Sequence, residues 1–253
     1  MLPLLKQPSR QQKRVLAKAA RDPAARRELA EFLRARHGDD AGLSRAWGVP
    51  VALSEVAKGP WARPLTPAAR ADLAHFSTLM CRRLFGGLCA ACRAADPNHL
   101  NLGVRYYTVP PDWALAGMEG LDVFSINAYD RRVPSGAARA SQLLDRPVLI
   151  GEWHFGAHDV GLPASGIGRV RSQADRGRAY RIYLEDAAAK PWCVGVHYFH
   201  LYDQSALGRF DGECYNIGFL DICGRPYEPL AAAARESHQR LYDLARGRAA
   251  PFA

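Results

Sequence analysis

One stretch of this chain, residues 146–156, constrains the fold more than any other. It begins with Arg-Pro and continues as an unbroken apolar run over residues 148–150. Such a run is typical of a strand that is buried on both faces, as in a parallel sheet. The run ends at Gly151 and Glu152. A buried carboxylate costs several kcal/mol unless it is paired. Glu152 is therefore either a satisfied structural acid or a catalytic group on the strand-end face of an α/β barrel.

Strand-like and helical segments alternate from residue 100 to the end of the chain. The predicted strands cover residues 100–106, 121–129, 148–152 and 193–200. The predicted helices cover residues 110–120, 135–144, 172–189 and 226–246. This alternation indicates βα units and a parallel sheet, so the fold class is α/β.

Residues 1–99 show no convincing strand. Helical patterns over 9–36 and 67–95 enclose a loop-like segment over 39–65. About 250 residues is typical of a complete (β/α)8 TIM barrel, yet only four strands are predicted. We therefore expect the C-terminal half of such a barrel over residues 100–253, preceded by a helical segment over 1–99.

Four strands alone leave two open sheet edges and an uncovered inner face. We expect the apolar side chains of that inner face to be under-covered, unless the N-terminal helices fold over it. They include Val104, Ile126 and Ile150.

Composition excludes several other classes of protein. A hydrophobic fraction of 48% is that of a globular chain. The net charge is +9, but no nucleic-acid motif accompanies it, so a solvated basic face is expected and no nucleic-acid partner. No apolar run reaches transmembrane length, so no membrane partner is expected. The N-terminus is charged too early for a signal peptide, which predicts a cytoplasmic protein if Met1 is the genuine start.

Metal and cofactor chemistry is not indicated either. The six cysteines offer one C-x-x-C pair, Cys89 and Cys92, inside a helical pattern and without a second pair. The histidines show no zinc signature such as H-E-x-x-H. We expect no metal and no cofactor.

Four stretches of the chain resemble a known group of enzymes. They are residues 96–105, 122–129, 148–156 and 203–218. The most specific parts are Gly-Glu-x-His-Phe-Gly at 151–156 and Asp-Gln-x-x-x-Gly-Arg-Phe-Asp-Gly-Glu at 203–213. Together they resemble the C-terminal half of retaining glycoside hydrolases of clan A. Within that clan they are most similar to β-agarases of glycoside hydrolase family fifty and to related β-galactosidases.

The resemblance implies roles for two residues. Glu152 corresponds to the nucleophile at the tip of the seventh barrel strand, and Tyr129 to a tyrosine that hydrogen-bonds it. A retaining glycosidase needs a second carboxyl group roughly 5–5.5 Å from the nucleophile. In this clan that acid/base is the glutamate of an Asn-Glu pair on the fourth strand. None of the four asparagines here precedes a glutamate, so the chain carries one catalytic carboxylate of two.

Other polar residues near the predicted strand ends are candidates for sugar binding. Arg105, at the tip of the fifth barrel strand, either binds sugar hydroxyls or pairs with an acid, and Asn127 points inward by strand parity. His154 and His197 are polar aromatics that suit sugar recognition. Tyr198 stands where the resembling family usually has a tryptophan that stacks on the sugar ring.

The long loop after the last strand supplies the remaining candidates. Its polar side chains can make bidentate hydrogen bonds to diols, and loops of this length are usually functional. The alternative is a loop braced by its own side chains, with Arg209 paired to Asp211 or Glu213. The candidates are Asp203, Gln204, Arg209, Asp211, Glu213 and Asn216.

Two functions follow from these patterns. The first is a hydrolase component that acts on a β-linked galactose-containing oligosaccharide or polysaccharide once an N-terminal half-barrel supplies the acid/base. The second is a non-catalytic remnant, or a carbohydrate-binding module, of the same ancestry.

Overall fold

A computed structural model describes residues 22–58 and 63–253, which form two compact units that divide between Met80 and Cys81. The first part of the helix expected over residues 9–36 lies outside the described residues. The division falls inside the long helix Pro67–Ala95. The last part of that helix therefore belongs to the same compact unit as the sheet.

Helices build the first unit. They are α1 (Pro23–His37), α2 (Asp40–Trp47), α3 (Leu53–Lys58) and the start of α4 (Pro67–Ala95). Asp22 caps α1 through a 2.7 Å bond from the Ala24 amide, and Asp39 caps α2 through a 2.7 Å bond from the Gly42 amide. The prediction of a loop over residues 39–65 is therefore wrong, because α2 and α3 are too short for a strong periodic signal.

The first unit also buries one carboxylate. Asp72 accepts hydrogen bonds from Trp47 Nε1 at 2.8 Å and His37 Nε2 at 2.7 Å, and pairs with Arg36 Nε at 2.8 Å. Burial by itself raises the pKa of Asp72, but these bonds and charges outweigh it and lower the pKa below its ordinary value. Asp72 therefore ties α1 and α2 to α4 as an anion.

We expect Asp72→Asn to destabilise the protein at pH 7 by about 1–3 kcal/mol, because charge-assisted bonds are lost. A lowered folded-state pKa means that this contribution is fully present above the unfolded value. It is lost as pH falls through the folded value. Urea unfolding at pH 7 and at pH 3 measures the difference, which should shrink at pH 3. Glu31→Gln, in an exposed pair with Arg34, is the control; an equal effect of both variants would contradict the prediction.

The second unit contains a four-stranded parallel sheet in the order β1-β2-β3-β4. Its strands are β1 (Arg105–Tyr106), β2 (Phe124–Asn127), β3 (Val148–Trp153) and β4 (Cys193–Tyr198). Its helices are the end of α4, α5 (Ser135–Leu144), α6 (Gln173–Ala188) and α7 (Glu228–Ala245). Two short 3-10 helices, Asp112–Leu115 and Met118–Gly120, connect β1 to β2. The expected four parallel strands with flanking helices are confirmed.

The apolar core of this unit lies between the sheet and its helices. Ile126 and Ile150 are fully buried in it, with side chains from α5 and α6. Placing these two isoleucines on the inner face was therefore wrong. They point toward the helices. The register of β2 and β3 shifts after Ile126, so that Asn127 pairs with Glu152, and these two side chains point to the opposite, inner side. Val104, by contrast, is exposed just before β1.

Among the described residues, no helix combines the length and apolarity that a membrane crossing requires.

Candidate active site

Glu152 lies at the carboxyl end of β3 and accepts hydrogen bonds from three side chains. Oε2 accepts from Asn127 Nδ2 at 2.7 Å and from the Tyr129 hydroxyl at 2.6 Å. Oε1 accepts from Arg105 Nη2 at 2.7 Å, and Arg105 Nη1 also donates to the Gly151 carbonyl at 3.1 Å. The Glu152 side chain is 19% exposed. Both oxygens of the carboxyl group are thus fixed by donors, while its surface still reaches solvent.

Glycine at position 151 permits the arginine contact. A Cβ atom on Gly151 would lie 2.3 Å from Arg105 Cδ. Arg105 therefore crosses from edge strand β1 over β2 to β3 through space that any other residue at position 151 would fill.

Tyr129 serves as a donor to the carboxylate. Burial, followed by its hydrogen bond and proximity to Glu152, raises the pKa of Tyr129 well above its ordinary value. The hydroxyl therefore keeps its proton at neutral pH. This geometry is what the resemblance implies for the pair Tyr129 and Glu152.

His154 lies behind this pair. The residue is 3% exposed, and its Nε2 accepts from the Ile167 amide at 3.0 Å. Burial, followed by the charges of Arg176 and His200, lowers the pKa of His154 to about 3. His154 is therefore a neutral, buried group, and its position does not suit direct contact with a sugar.

Tyr198 and His197 occupy opposite sides of β4. Tyr198 packs against Trp153 and Phe219, each with ring centroids 5.0 Å apart from its own, and its hydroxyl donates to the Phe155 carbonyl at 3.1 Å. It belongs to the helix-facing layer, so a stacking role toward a sugar on the inner side is contradicted. His197 is exposed and stays a candidate.

Two of the loop candidates are buried and form hydrogen bonds within the protein. Asp203 accepts from the Gly218 amide at 2.8 Å and the Tyr227 hydroxyl at 2.7 Å. Asn216 is fully buried and accepts from Gln173 Nε2 at 3.1 Å. Because these polar atoms are bonded within the protein, Asp203 and Asn216 do not face a substrate.

The tip of the loop is braced in part. Gln204 is buried, donates to Glu213 Oε2 at 2.8 Å and accepts from the Tyr215 amide at 2.8 Å. Arg209 pairs with Asp211 at 3.1 Å and with Glu213 at 3.5 Å. The self-braced alternative therefore matches Arg209, which pairs with both acids, and Gln204 is held within the loop as well. Arg209, Asp211 and Glu213 keep exposed surface and stay candidates.

Arg176 is a residue that the sequence analysis missed. It is fully buried in α6, and all five of its N–H groups have acceptors. Those acceptors are Phe155 O, Gln173 Oε1, Asn216 Oδ1, Tyr198 Oη and Gly218 O. The sequence does carry a signal for the burial of this arginine, because Arg176 falls on the same helical stripe as Tyr180, Tyr183 and Ala187. One cation thus joins β4, the loop after β3 and the loop after β4.

In the part of the chain that the structure describes, no three His, Cys, Asp or Glu side chains cluster as metal ligands would.

The fold and site together define a class. Four parallel strands with flanking helices, and a hydrogen-bonded carboxylate at a strand's carboxyl end, are the features of the (β/α)8-barrel architecture, here present in part. The chain is a partial homologue of the β-agarases of glycoside hydrolase family fifty, as its sequence motifs indicated.

Comparisons with known proteins carry this assignment. The chain is 35% identical to β-agarase B of Vibrio sp. (strain JT0107) over 226 residues, which is 87% of the chain and 24% of the relative. It matches the solved structure of an exo-β-agarase with a TM-score of 0.80 at 33% identity, over 88% of the chain and 31% of that structure. A β-galactosidase from the haloarchaeon Halorubrum lacusprofundi matches at 0.56 and 21% identity, which shows likeness of fold alone.

These relatives are much longer than the matched region. The chain spans about a quarter of the curated agarase and about a third of the solved exo-β-agarase. No protein-family model matches the chain.

Proposed function

We propose that this chain is the nucleophile-bearing half of a retaining glycoside hydrolase that acts on agaro-oligosaccharides or related β-galactosides. The observation that carries the proposal is the setting of Glu152: a strand-end carboxylate, partly open to solvent, with three donors fixing its two oxygens. The partial homology to β-agarases supports the substrate class.

In the proposed reaction, a Glu152 oxygen forms a bond to the anomeric carbon as the bond to the leaving oxygen breaks. A second carboxyl group protonates that oxygen. Water then attacks the glycosyl-enzyme, gives its proton to the same group, and releases Glu152 as a carboxylate. Asn127 and Tyr129 orient Oε2, and Arg105 balances the charge of the resting anion.

The second carboxyl group comes from a partner half-barrel in this proposal. Both edge strands, β1 and β4, have one side without a strand partner among the described residues. Exposed apolar side chains lie beside each edge, with Leu102 and Val104 near β1 and Val194 on β4. A partner that adds strands at both edges would close the sheet and cover these side chains.

The number of helical segments favours a half-barrel of different sequence, on a separate chain or in the same longer protein, over a second copy as this partner. A barrel has one helical connection per strand, eight in all. The described residues of the sheet-bearing unit supply α4 before β1, the 3-10 pair, α5, α6, and α7 after β4. In a pair of copies, α4 of one copy and α7 of the other would therefore meet at each junction between the two sheets, where a barrel has one helical connection. A partner with four strands and three helices fits both junctions.

We expect the isolated chain to cleave agaro-oligosaccharides at least about 10²–10⁴-fold more slowly than a complete barrel, because acid assistance is missing. An activated aryl β-galactoside, whose leaving group needs little protonation, should suffer least. Assays of the purified chain on both substrates measure this. Efficient cleavage of the oligosaccharide would show that an acid/base lies within this chain.

A chimaera tests the proposal directly. In it, this chain replaces the matching region of β-agarase B, so that the rest of that protein completes the barrel. We expect the chimaera to hydrolyse agaro-oligosaccharide. A folded chimaera that binds the oligosaccharide without cleaving it would overturn the proposal in favour of a non-catalytic sugar-binding module.

A further inference from the structure

A short segment after β3, residues 164–168, lies behind the carboxylate site. The backbone amide of Ile167 donates to His154 Nε2 at 3.0 Å. The segment is anchored on both sides, since the Gly156 amide donates to the Gly168 carbonyl at 2.9 Å and the Asn216 amide to the Ala164 carbonyl at 2.7 Å. His154 is thus the side chain that receives a hydrogen bond from the middle of this segment, residues 164–168.

The fit between the segment and the histidine is tight. A Cβ atom on Gly166, whose φ is +73°, would lie 2.5 Å from His154 Nε2. A Cβ atom on Gly168 would lie 2.2 Å from the His154 carbonyl oxygen. Glycine is therefore needed at both positions, and the close approach at Gly166 limits rotation of the ring.

The hydrogen bond also fixes the tautomer. A ring nitrogen that accepts a hydrogen bond carries no proton, so the proton of neutral His154 is on Nδ1. Burial, with the charges of Arg176 and His200 nearby, keeps the ring neutral by lowering its pKa to about 3. Nε2 therefore acts as an acceptor at neutral pH.

The other face of the ring meets Tyr129. The two ring centroids are 4.8 Å apart, with an interplanar angle of 62°, which is the edge-to-face arrangement that aromatic pairs prefer. Tyr129 in turn donates to Glu152 Oε2 at 2.6 Å. A continuous chain of contacts therefore runs from the Ile167 amide through His154 and Tyr129 to the carboxylate.

We propose that His154 is a positioning residue: it takes its orientation from the segment 164–168 and holds the Tyr129 hydroxyl on Glu152. The role concerns the resting carboxylate of this chain. It therefore stands or falls separately from hydrolysis by a completed barrel.

Three variants of the full chain test the proposal. His154→Gln keeps an acceptor near the place of Nε2, His154→Phe keeps a ring without an acceptor, and Tyr129→Phe removes the hydroxyl. The first readout is the 15N spectrum of the histidine ring. We expect the Nδ1–H tautomer for His154, unchanged between pH 8 and pH 5. An Nε2–H tautomer, or titration in that range, would overturn the proposal before any variant is made.

The second readout is the 13Cδ shift of Glu152, which reports the hydrogen bonds at the carboxylate. Tyr129→Phe calibrates the change caused by loss of the hydroxyl. We expect His154→Phe to move the shift in the same direction and to speed exchange of the Ile167 amide at least tenfold, with His154→Gln restoring both. A Glu152 shift unchanged in both His154 variants, while Tyr129→Phe moves it, would reduce His154 to a packing residue. If His154→Phe does not fold, Gly166→Ala takes its place, because its added Cβ would lie 2.5 Å from His154 Nε2 and must displace the ring. A Glu152 shift that Gly166→Ala leaves unchanged, while Tyr129→Phe moves it, would overturn the proposal.

Discussion

Glu152→Gln in the chimaera should reduce turnover of agaro-oligosaccharide by about 10⁴–10⁶-fold, the scale on which enzymes lose activity when their nucleophile is removed. The amide keeps the volume of the carboxylate and can still bond to Asn127 and Tyr129, so the fold should be retained. It cannot form the glycosyl-enzyme, because an amide oxygen is a far poorer nucleophile. Initial rates on the oligosaccharide and the thermal midpoint of unfolding measure the two effects separately.

A labelling experiment locates the nucleophile without relying on loss of activity. A fluorinated glycoside inactivator should attach to the peptide that contains Glu152. Glu213→Gln is the matched control, because Glu213 is a glutamate in the long loop that pairs with Arg209. A label on Glu213, with Glu152→Gln still active, would overturn the assignment of the whole site.

Arg176→Met should destabilise the sheet-bearing unit by about 3 kcal/mol or more. The substitution leaves buried acceptors without donors, and each such acceptor costs about 1–3 kcal/mol. The loss should be large although no carboxylate of the described residues pairs with this arginine, because its five N–H groups hold two loops and a strand end together. Urea unfolding followed by far-UV circular dichroism measures the change.

Arg178→Met is the matched control for this variant. Arg178 lies on the same helix two residues later and is exposed, so its replacement should change the free energy of unfolding by less than about 0.5 kcal/mol. Equal effects of the two substitutions would show that helix α6 tolerates a buried gap at position 176.

The sheet and the hydrogen-bonded group around Glu152 could be predicted because they depend on local sequence patterns. Apolar runs bounded by helices identified four strands. Strand parity then placed Asn127 on the side of Glu152, as the structure shows. The same parity was misapplied to Ile126 and Ile150, because an apolar side chain fits either face of a strand that is buried on both sides.

The loop after β4 shows that a sequence does not distinguish a side chain that binds a sugar from one that bonds within the protein. A side chain able to bind a sugar diol is equally able to bind a backbone amide or a tyrosine hydroxyl. Asp203 does the latter, with Gly218 and Tyr227, and these partners are 15 and 24 residues away in sequence. Only the packed structure decides which acceptor is already occupied.

The route of Arg105 across the sheet has a consequence for dynamics. Strand β1 has two residues in the ladder and one neighbouring strand, and short edge strands are the segments that open most readily in local unfolding. Each opening would withdraw the guanidinium from Glu152 and leave the anion with its two neutral donors. The charge balance around Glu152 therefore fluctuates at the rate at which strand β1 opens.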